Sequence, residues 1–277
     1  MPDSPRASGS QPVPQPEGEV VAVVRTGAVT TLVLNRPMRL NAIDQNMALA
    51  LVREIEAVAA DRDCRCLLIT GAGRAFCAGQ SLGGTGEAST LPTDITGLIQ
   101  ERYVPVVLGL AALEIPVVAA VNGLAVGAGF SLALAADIRI ASEESWFSCA
   151  FAQLGLVPDS GASYFLPRLL GPGRALHYAL TGDRITAQMA LELGLVTTVL
   201  PPRSFAAESV AIAQRLAAGA TRALGLTKLA LRHALDASLA EQLQMEAHLQ
   251  QIASETADFS EGLLAFREKR PPHFQGR

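Results

Sequence analysis

Two glycine-rich segments contain the residues of this chain best suited to bind an anion. The first runs over residues 71–82 with the sequence GAGRAFCAGQSL, and the second over residues 121–131 with the sequence VNGLAVGAGFS. Small residues let a ligand approach main-chain N–H groups closely, and a helix beginning near Ala128 would add a dipole that favours negative charge. The two turns could therefore form an anion hole, although glycines that follow a strand can also serve only to bend the chain.

Two other chemistries match these segments less well. Gly71 and Gly73 begin like a dinucleotide-binding fingerprint, but Phe76 occupies the position of its third glycine. Ser131 suggests a nucleophile, yet the residues around it, GFSLA, lack the final glycine of a nucleophile elbow, and no histidine is placed by the sequence to activate it. Neither a dinucleotide-binding protein nor a serine hydrolase is predicted.

Composition and charge exclude several classes of partner. The net charge of −4 and an isoelectric point near 5.6 leave no basic field that would gather nucleic acid or anionic lipid. Residues 116–136 carry no formal charge and approach the ~20 residues that span a bilayer, but Asn122 and several glycines interrupt them. The interrupted pattern predicts a buried strand, a glycine turn and a helix of small residues, so no membrane partner is expected.

The cysteines and the N-terminus indicate a reducing compartment. Cys64, Cys66, Cys77 and Cys149 lack metal-ligand spacing, which predicts reduced thiols and no metal site. The N-terminus has neither the basic start nor the apolar stretch of a secretory signal, and residues 1–18, rich in Pro, Ser and Gln, predict a disordered tail. A cytoplasmic location is expected.

The elements that position the two turns alternate between strands and helices. Strands are predicted over 19–25, 29–34, 66–70, 117–121, 138–141 and 196–200, and helices from an Asp44 N-cap to about residue 60, over 93–113 and over 128–136. This alternation predicts an α/β architecture. A boundary near residue 200 separates a core, 19–200, from a helical region, 201–277, with helices over 221–236, 238–254 and 260–269. That region is too thin to cover its own apolar face, so it should pack on the core or on another subunit.

Both glycine turns, in this order, resemble the two signature segments of the enoyl-CoA hydratase/isomerase (crotonase) family. Other matching pieces run from about residue 19 to the C-terminus. They are LNRP at 34–37, Asn41-Ala42, Asp137, LGLVP at 154–158, LPR at 166–168, Gly171, Arg174-Ala175, Ala187, GLV at 194–196, DFSEG at 258–262, Phe266, KRP at 269–271 and Phe274. The resemblance implies an α/β crotonase (ClpP-like) spiral of ββα units with a C-terminal helical trimerisation region.

The resemblance further implies that the substrate is an acyl-CoA thioester and that no separate cofactor is needed. In the family, the thioester carbonyl accepts two main-chain N–H bonds, and by position these donors fall on Ala78 and Ala128. Such donors typically contribute ~2.7 to 4 kcal/mol each in acyl-transfer enzymes. Arg39 is a candidate for a CoA phosphate, or else an ordinary solvated charge. The substrate-binding residues that the resemblance implies are Arg39, Ala42, Phe76, Ala78, Gln80, Ser81, Leu82, Gly127, Lys269 and Phe274.

The acid/base residues separate the branches of this family. Hydratases that resemble this chain use two glutamates, whose positions here are taken by Ser131 and Phe151. What remains is Asp159, at a position where some isomerases and dehalogenases of the family carry an aspartate. Since one carboxylate can move a proton between two carbons, whereas adding water usually asks for two groups, isomerisation is favoured. The alternative role of Asp159 is to cap the helix that carries Tyr164.

The segments 77–80 and 155–161 resemble the 1,2-epoxyphenylacetyl-CoA isomerase branch most, with Ser81 departing from its usual aspartate. The expectation is thus an enoyl-CoA isomerase that assembles as a homotrimer or as a hexamer of paired trimers. The alternatives are a hydratase with altered acid/base residues and a non-catalytic acyl-CoA-binding protein.

Overall fold

The computed structural model describes residues 18–82 and 94–277. The tail predicted over residues 1–18 lies outside the described residues except for Gly18. In chain order, the strands of the described residues are β1 Val21–Thr26, β2 Val29–Leu34, β3 Cys66–Gly71, β4 Ala75–Cys77, β5 Val117–Val121, β6 Leu124–Val126, β7 Ile138–Ser142, β8 Trp146–Ser148, β9 Ile185–Thr186 and β10 Thr198–Leu200.

Helices occupy most of the remaining described chain. They are α1 Gln45–Ala60, α2 Ile95–Arg102, α3 Val104–Ala112, α4 Ala128–Ala135, α5 Ala162–Leu170, α6 Pro172–Thr181, α7 Ala187–Glu192, α8 Phe205–Ala217, α9 Thr221–His233, α10 Leu239–Ser254 and α11 Ala257–Glu268. The predicted N-cap of α1 is confirmed, because the Asp44 carboxylate accepts the Met47 N–H at 3.0 Å. No helix in the described ranges is both long and apolar enough to cross a bilayer.

The larger sheet has the strand order β1-β2-β3-β5-β7-β10, and its strands are parallel apart from the β1–β2 hairpin. Both of its faces are buried, as in most parallel sheets. Along β3, Leu67 and Ile69 face the main hydrophobic core, while Cys66 and Leu68 face Phe205 of α8. This double burial explains why the strand reads as a continuous apolar run.

The smaller sheet has the order β4-β6-β8-β9 and is built from strands of two or three residues. Three times, a strand of the larger sheet is followed directly by a strand of the smaller one, in the pairs β3–β4, β5–β6 and β7–β8. The chain therefore advances as a spiral, as expected for repeated ββα units. Composition alone did not predict these short strands, because three residues are too few to show an alternating pattern.

One predicted helix is wrong in its length. The helix expected over residues 93–113 is two helices, α2 and α3, that meet at Tyr103. Pro105 stands in the first turn of α3, where its missing N–H costs nothing, and a single helix through that position would have lost a hydrogen bond.

The C-terminal helices leave many apolar side chains exposed. Leu231 of α9 and Leu235 just after that helix are 67% and 54% exposed, and Phe266 of α11 is 84% exposed. The helix that directly follows the predicted boundary, α8, packs under the larger sheet. The division into residues 19–200 and 201–277 stays a prediction.

Candidate active site

The two glycine turns pack against each other so closely that side chains are excluded. A Cβ atom on Gly129 would lie 2.3 Å from the Cys77 carbonyl oxygen, and one on Gly79 would lie 2.7 Å from the Val126 carbonyl oxygen. Gly79 also has a φ of +91°, which is unfavourable for other residues. These glycines therefore bring the main chain of the first turn against the start of α4.

Ala78 does not present a free N–H in this structure. Its N–H donates to the Leu40 carbonyl oxygen at 3.0 Å, which leaves no proton for a ligand. This corrects the expectation that Ala78 supplies a donor. The bond arises because residues 40–43 run beside the turn, a tertiary contact that the sequence does not reveal.

Gln80, two residues further along the first turn, has a free N–H instead. It forms a parallel bridge with Ile43, in which Ile43 N–H donates to the Gly79 carbonyl at 2.7 Å and Ser81 N–H donates to the Ile43 carbonyl at 2.8 Å. A bridge of this kind directs the N–H of the central residue away from its partner strand. No acceptor lies on the Gln80 N–H among the described residues.

The second free donor is the N–H of Ala128, the first residue of α4, which has no acceptor within the described chain. Gly127 before it has a φ of +54°, and its own N–H donates to the Ser148 carbonyl. The position of a Cβ on Gly79 lies 3.4 Å from the Ala128 nitrogen. The free N–H groups of Gln80 and Ala128 thus belong to adjacent stretches of main chain at a helix N-terminus.

A narrow, mostly apolar pocket opens beside Ala128. Its lining residues are Ile43, Leu51, Arg102, Tyr103, Val106, Val107, Ala128, Leu132 and Ser160. Because these walls are mostly aliphatic, a carbonyl oxygen placed here would find its polar partners in the main chain.

Asp159 lies directly before Ser160, which lines this pocket. One carboxylate oxygen of Asp159 accepts the Ser160 hydroxyl at 2.8 Å. Burial raises the pKa of Asp159, and the hydrogen bond from Ser160 opposes that rise. The alternative role as a helix cap is not realised, because no side chain caps α5 at its N-terminus and the Ala162 N–H donates to the Asp159 main-chain oxygen.

Ser131 and Phe151 are the residues at the two positions where the family resemblance places the glutamates of hydratases. The Ser131 hydroxyl is fully buried and lies 3.0 Å from the Asp159 carbonyl oxygen and 3.2 Å from the Gly127 carbonyl oxygen. Phe151 is buried in the hydrophobic core. Neither side chain can accept a proton at neutral pH.

Tyr103 is a pocket residue that the sequence reasoning missed. It stands between α2 and α3, and its hydroxyl donates to the Gln80 side-chain oxygen. Burial and then the nearby Cys77 and Asp159 raise the pKa of Tyr103 well above its usual value. One feature of the sequence could have indicated that this tyrosine lies at a helix boundary, namely Pro105, which interrupts the predicted helix two residues later.

Most of the expected CoA contacts lie together on the outer side of the first turn. Ser81 and Ala42 flank the bridge at Ile43, Leu82 is exposed just beyond it, and Arg39 is exposed in the turn that leads to it. Phe76 is an exception, because its side chain is fully buried in the core and cannot touch a ligand. The expectation for Phe76 as a contact residue is therefore corrected.

The structure of one chain does not bring Lys269 and Phe274 to this pocket. Phe274 lies beside Arg65, whose guanidinium donates to the Phe274 carbonyl at 3.0 Å. Arg65 precedes β3, whereas the glycine turn follows its opposite end. Lys269 ends α11 and is exposed.

The buried thiol of Cys77 is a packing residue in this arrangement. Burial raises its pKa to about 12, so the thiol stays protonated at neutral pH. It lies 3.1 Å from the Asn41 carbonyl oxygen, under the turn. In the described part of the chain, His, Cys, Asp and Glu side chains form no cluster suited to a metal ion.

The fold and the site define an α/β protein in which two glycine turns hold free main-chain N–H groups over an apolar pocket. A sequence model described as enoyl-CoA hydratase/isomerase matches residues 25–277. The chain is 43% identical to 1,2-epoxyphenylacetyl-CoA isomerase of Escherichia coli K12, with 90% of this chain and 95% of the relative covered. It is 35% identical to 2,3-dehydroadipyl-CoA hydratase of the same organism, with coverages of 92% and 98%.

Solved structures agree with the sequence relatives. A crystal structure of enoyl-CoA hydratase from Bacillus anthracis superposes with a TM-score of 0.88 at 33% identity, covering 94% of this chain and all of that one. The chain therefore belongs to the enoyl-CoA hydratase/isomerase family and has its crotonase fold. Relatives of this chain carry both hydratase and isomerase names, so the family alone leaves the reaction open.

Proposed function

We propose that the protein is an enoyl-CoA isomerase in which Asp159 moves a proton between two carbons of the acyl group. One observation carries this proposal. Asp159 provides a single carboxylate near the pocket, while Ser131 and Phe151 stand at the two positions where the family resemblance implies the glutamates of a hydratase. Hydration needs one group to activate water and another to protonate carbon, whereas isomerisation needs one group that first takes and then returns a proton.

The thioester oxygen would accept the N–H groups of Gln80 and Ala128. The Asp159 carboxylate removes a proton from C2, and the electron pair of that C–H bond forms the C1–C2 double bond while the carbonyl π pair moves onto oxygen. The two N–H groups stabilise this enolate. When the carbonyl re-forms, the C1–C2 pair becomes the C2–C3 double bond, and the former C3–C4 double bond takes the proton from Asp159 at C4.

The environment of Asp159 suits this role. Burial raises its pKa, which strengthens it as a base and brings it closer to the working pH. The Ser131 hydrogen bond holds its main chain against α4, the helix that begins with the Ala128 donor. Donor and base are therefore fixed relative to each other.

CoA itself belongs to the substrate in this proposal, so no other cofactor is invoked. The exposed residues Arg39 and Leu82 and the half-buried Ser81 stand at the outer side of the turn, where the nucleotide and pantetheine portions would lie. The free and buried state of all four cysteines supports a cytoplasmic location.

For assembly, we propose a homotrimer or a hexamer of paired trimers. A groove of about 800 Å³ between α3, α5 and α9 is lined by apolar side chains such as Leu108, Leu231 and Leu235. Exposed apolar surface on this scale is typical of an interface between subunits. A second copy of this chain would cover it.

A panel of CoA thioesters tests the reaction. Unsaturated substrates with a C3–C4 double bond and 1,2-epoxyphenylacetyl-CoA, which the Escherichia coli relative is named for, should include one that is isomerised. In heavy water, the C2 proton of a bound thioester should exchange even when the acyl group is not the natural one. Efficient hydration of 2-enoyl-CoA would favour a hydratase, and tight CoA binding without exchange or turnover would favour a non-catalytic protein.

A further inference from the structure

We infer that Tyr103 is a positioning residue whose hydroxyl, through the Gln80 side chain, fixes the Gln80 N–H for the thioester oxygen. The inference rests on the proposed function, because it concerns the polarisation of that oxygen. In this inference Tyr103 contributes to catalysis through Gln80 and does not contact the reacting carbons.

The first support is the way the Gln80 side chain is held. Its oxygen accepts the Tyr103 hydroxyl, and its nitrogen donates to the Ser81 carbonyl at 3.1 Å. Both ends of the amide are engaged, so the side chain has one orientation. Because that side chain branches from the residue with the free N–H, fixing it restricts the rotation of the same peptide group.

The second support is that the main-chain hydrogen bonds between residues 78–81 and another segment come from one side of the loop. Ala78, Gly79 and Ser81 all pair with the segment 40–43. The Gln80 N–H points away from that segment, and the phenol of Tyr103 reaches the Gln80 side chain from the helix pair α2–α3. Without the Tyr103 hydroxyl, the Gln80 side chain would keep only its bond to the neighbouring Ser81 carbonyl and would lose its one contact with another element.

The third support is the position of Tyr103 itself. It is 4% exposed and lines the same pocket as Ala128, the residue with the other free N–H. A buried phenol requires a hydrogen-bond partner, and burial, which raises the pKa of Tyr103, keeps the phenol in its neutral, donating form. Gln80 provides that partner beside the site where an oxyanion would form.

The test compares Tyr103→Phe with Tyr178→Phe, a matched control. Tyr178 is also a buried tyrosine, but it lies on α6 and outside the pocket. Each variant loses one hydroxyl and keeps its ring. Since a donor misplaced by about 1 Å can cost ~100-fold in rate, we expect kcat of Tyr103→Phe to fall about 10- to 100-fold with KM little changed, while the control matches wild type.

A spectroscopic signature separates positioning from packing. The absorbance of bound hexa-2,4-dienoyl-CoA shifts to longer wavelength when its carbonyl is polarised, and this shift should be smaller in Tyr103→Phe. Gln80→Met removes the acceptor from the other side and provides a second route should the first variant fold poorly. The double variant should lose no more than the worse single variant, because both disrupt one interaction.

The outcomes distinguish the two proposals. A wild-type enzyme with neither turnover nor a spectral shift contradicts the proposed function, whatever Tyr103 does. If wild type shows both, and Tyr103→Phe keeps the wild-type kcat or the full spectral shift, the positioning role is overturned. Additive losses in the double variant would overturn it as well.

Discussion

The Ser131 hydroxyl lies 3.0 Å from the main-chain carbonyl oxygen of Asp159 and donates to it. This bond joins α4, which begins with the free N–H of Ala128, to the loop that carries the candidate base. Ser131, at a position where the family resemblance implies a glutamate in hydratases, thus acts as a clamp between α4 and this loop. The clamp holds the loop against α4, and in the proposed reaction the proton transfer is assigned to Asp159.

Removing the clamp should destabilise the protein. Ser131→Ala removes this hydrogen bond, but the Asp159 carbonyl still accepts the Ala162 N–H, so the expected loss is that of one hydrogen bond, about 0.5 to 1.5 kcal/mol. Chemical denaturation should show a loss in that range. Ser163→Ala is the control, because Ser163 is exposed on α5 and should stay within about 0.5 kcal/mol of wild type. Equal stability of the two variants would contradict the clamp.

The pH dependence of kcat/KM should report the raised pKa of Asp159. The base works ionised, so activity falls as the pH decreases through that pKa, and the acid limb should lie above the ordinary value of 3.8. Ser160→Gly removes the hydrogen bond that lowers the pKa and should move the limb to still higher pH. Glycine also suits the φ of +52° at this position. A limb that does not move in this variant would argue against Asp159.

Hydration of crotonyl-CoA should be feeble. Ser131 and Phe151 stand where a hydratase would need one carboxylate to activate water and another to protonate carbon, and neither side chain can do so. Absorbance of the enoyl thioester follows the reaction directly. Rates ordinary for an enzyme, ~1 to 10³ per second, would show that water is activated by another group.

Light scattering should give three or six times the 29.0 kDa mass of one chain. Leu231→Glu places a charge in the α9 groove at a side chain that is 67% exposed, so the chain should fold but dissociate. Leu49→Glu is the control, at an exposed leucine of α1 outside the groove. A wild-type protein that remains monomeric at working concentrations would contradict the assembly.

The fold could be predicted wherever local patterns agree with the tertiary structure. Asp44 caps α1 because its carboxylate needs only the helix that follows it, and β5 is an uninterrupted apolar run. The short strands β4, β6 and β8 could not be predicted, because they pair through neighbours distant in the chain. The break at Tyr103 could have been predicted from Pro105.

The candidate site was predictable in its location but not in its hydrogen bonds. The glycine turns predicted where a candidate anion hole would lie. The hydrogen bond from the Ala78 N–H to the Leu40 carbonyl was not predicted, and it leaves Gln80, not Ala78, with the free N–H. That choice depends on how residues 40–43 lie beside the turn. The Tyr103–Gln80 hydrogen bond joins residues that are distant in the chain, so the local sequence around either residue does not predict it.

The exchange of Asp159 for asparagine tests the central claim most directly. Because burial raises the folded-state pKa of Asp159, the stability that it contributes is present at low pH and is lost as the pH rises through that value. Asparagine carries no charge, so Asp159→Asn should be at least as stable as wild type at pH 7 and should bind the CoA thioester equally well. Isomerase turnover measured at that pH should fall by about 10²- to 10⁴-fold, the range typical of general acid–base groups. A folded Asp159→Asn enzyme that isomerises its substrate at the wild-type rate would contradict the account.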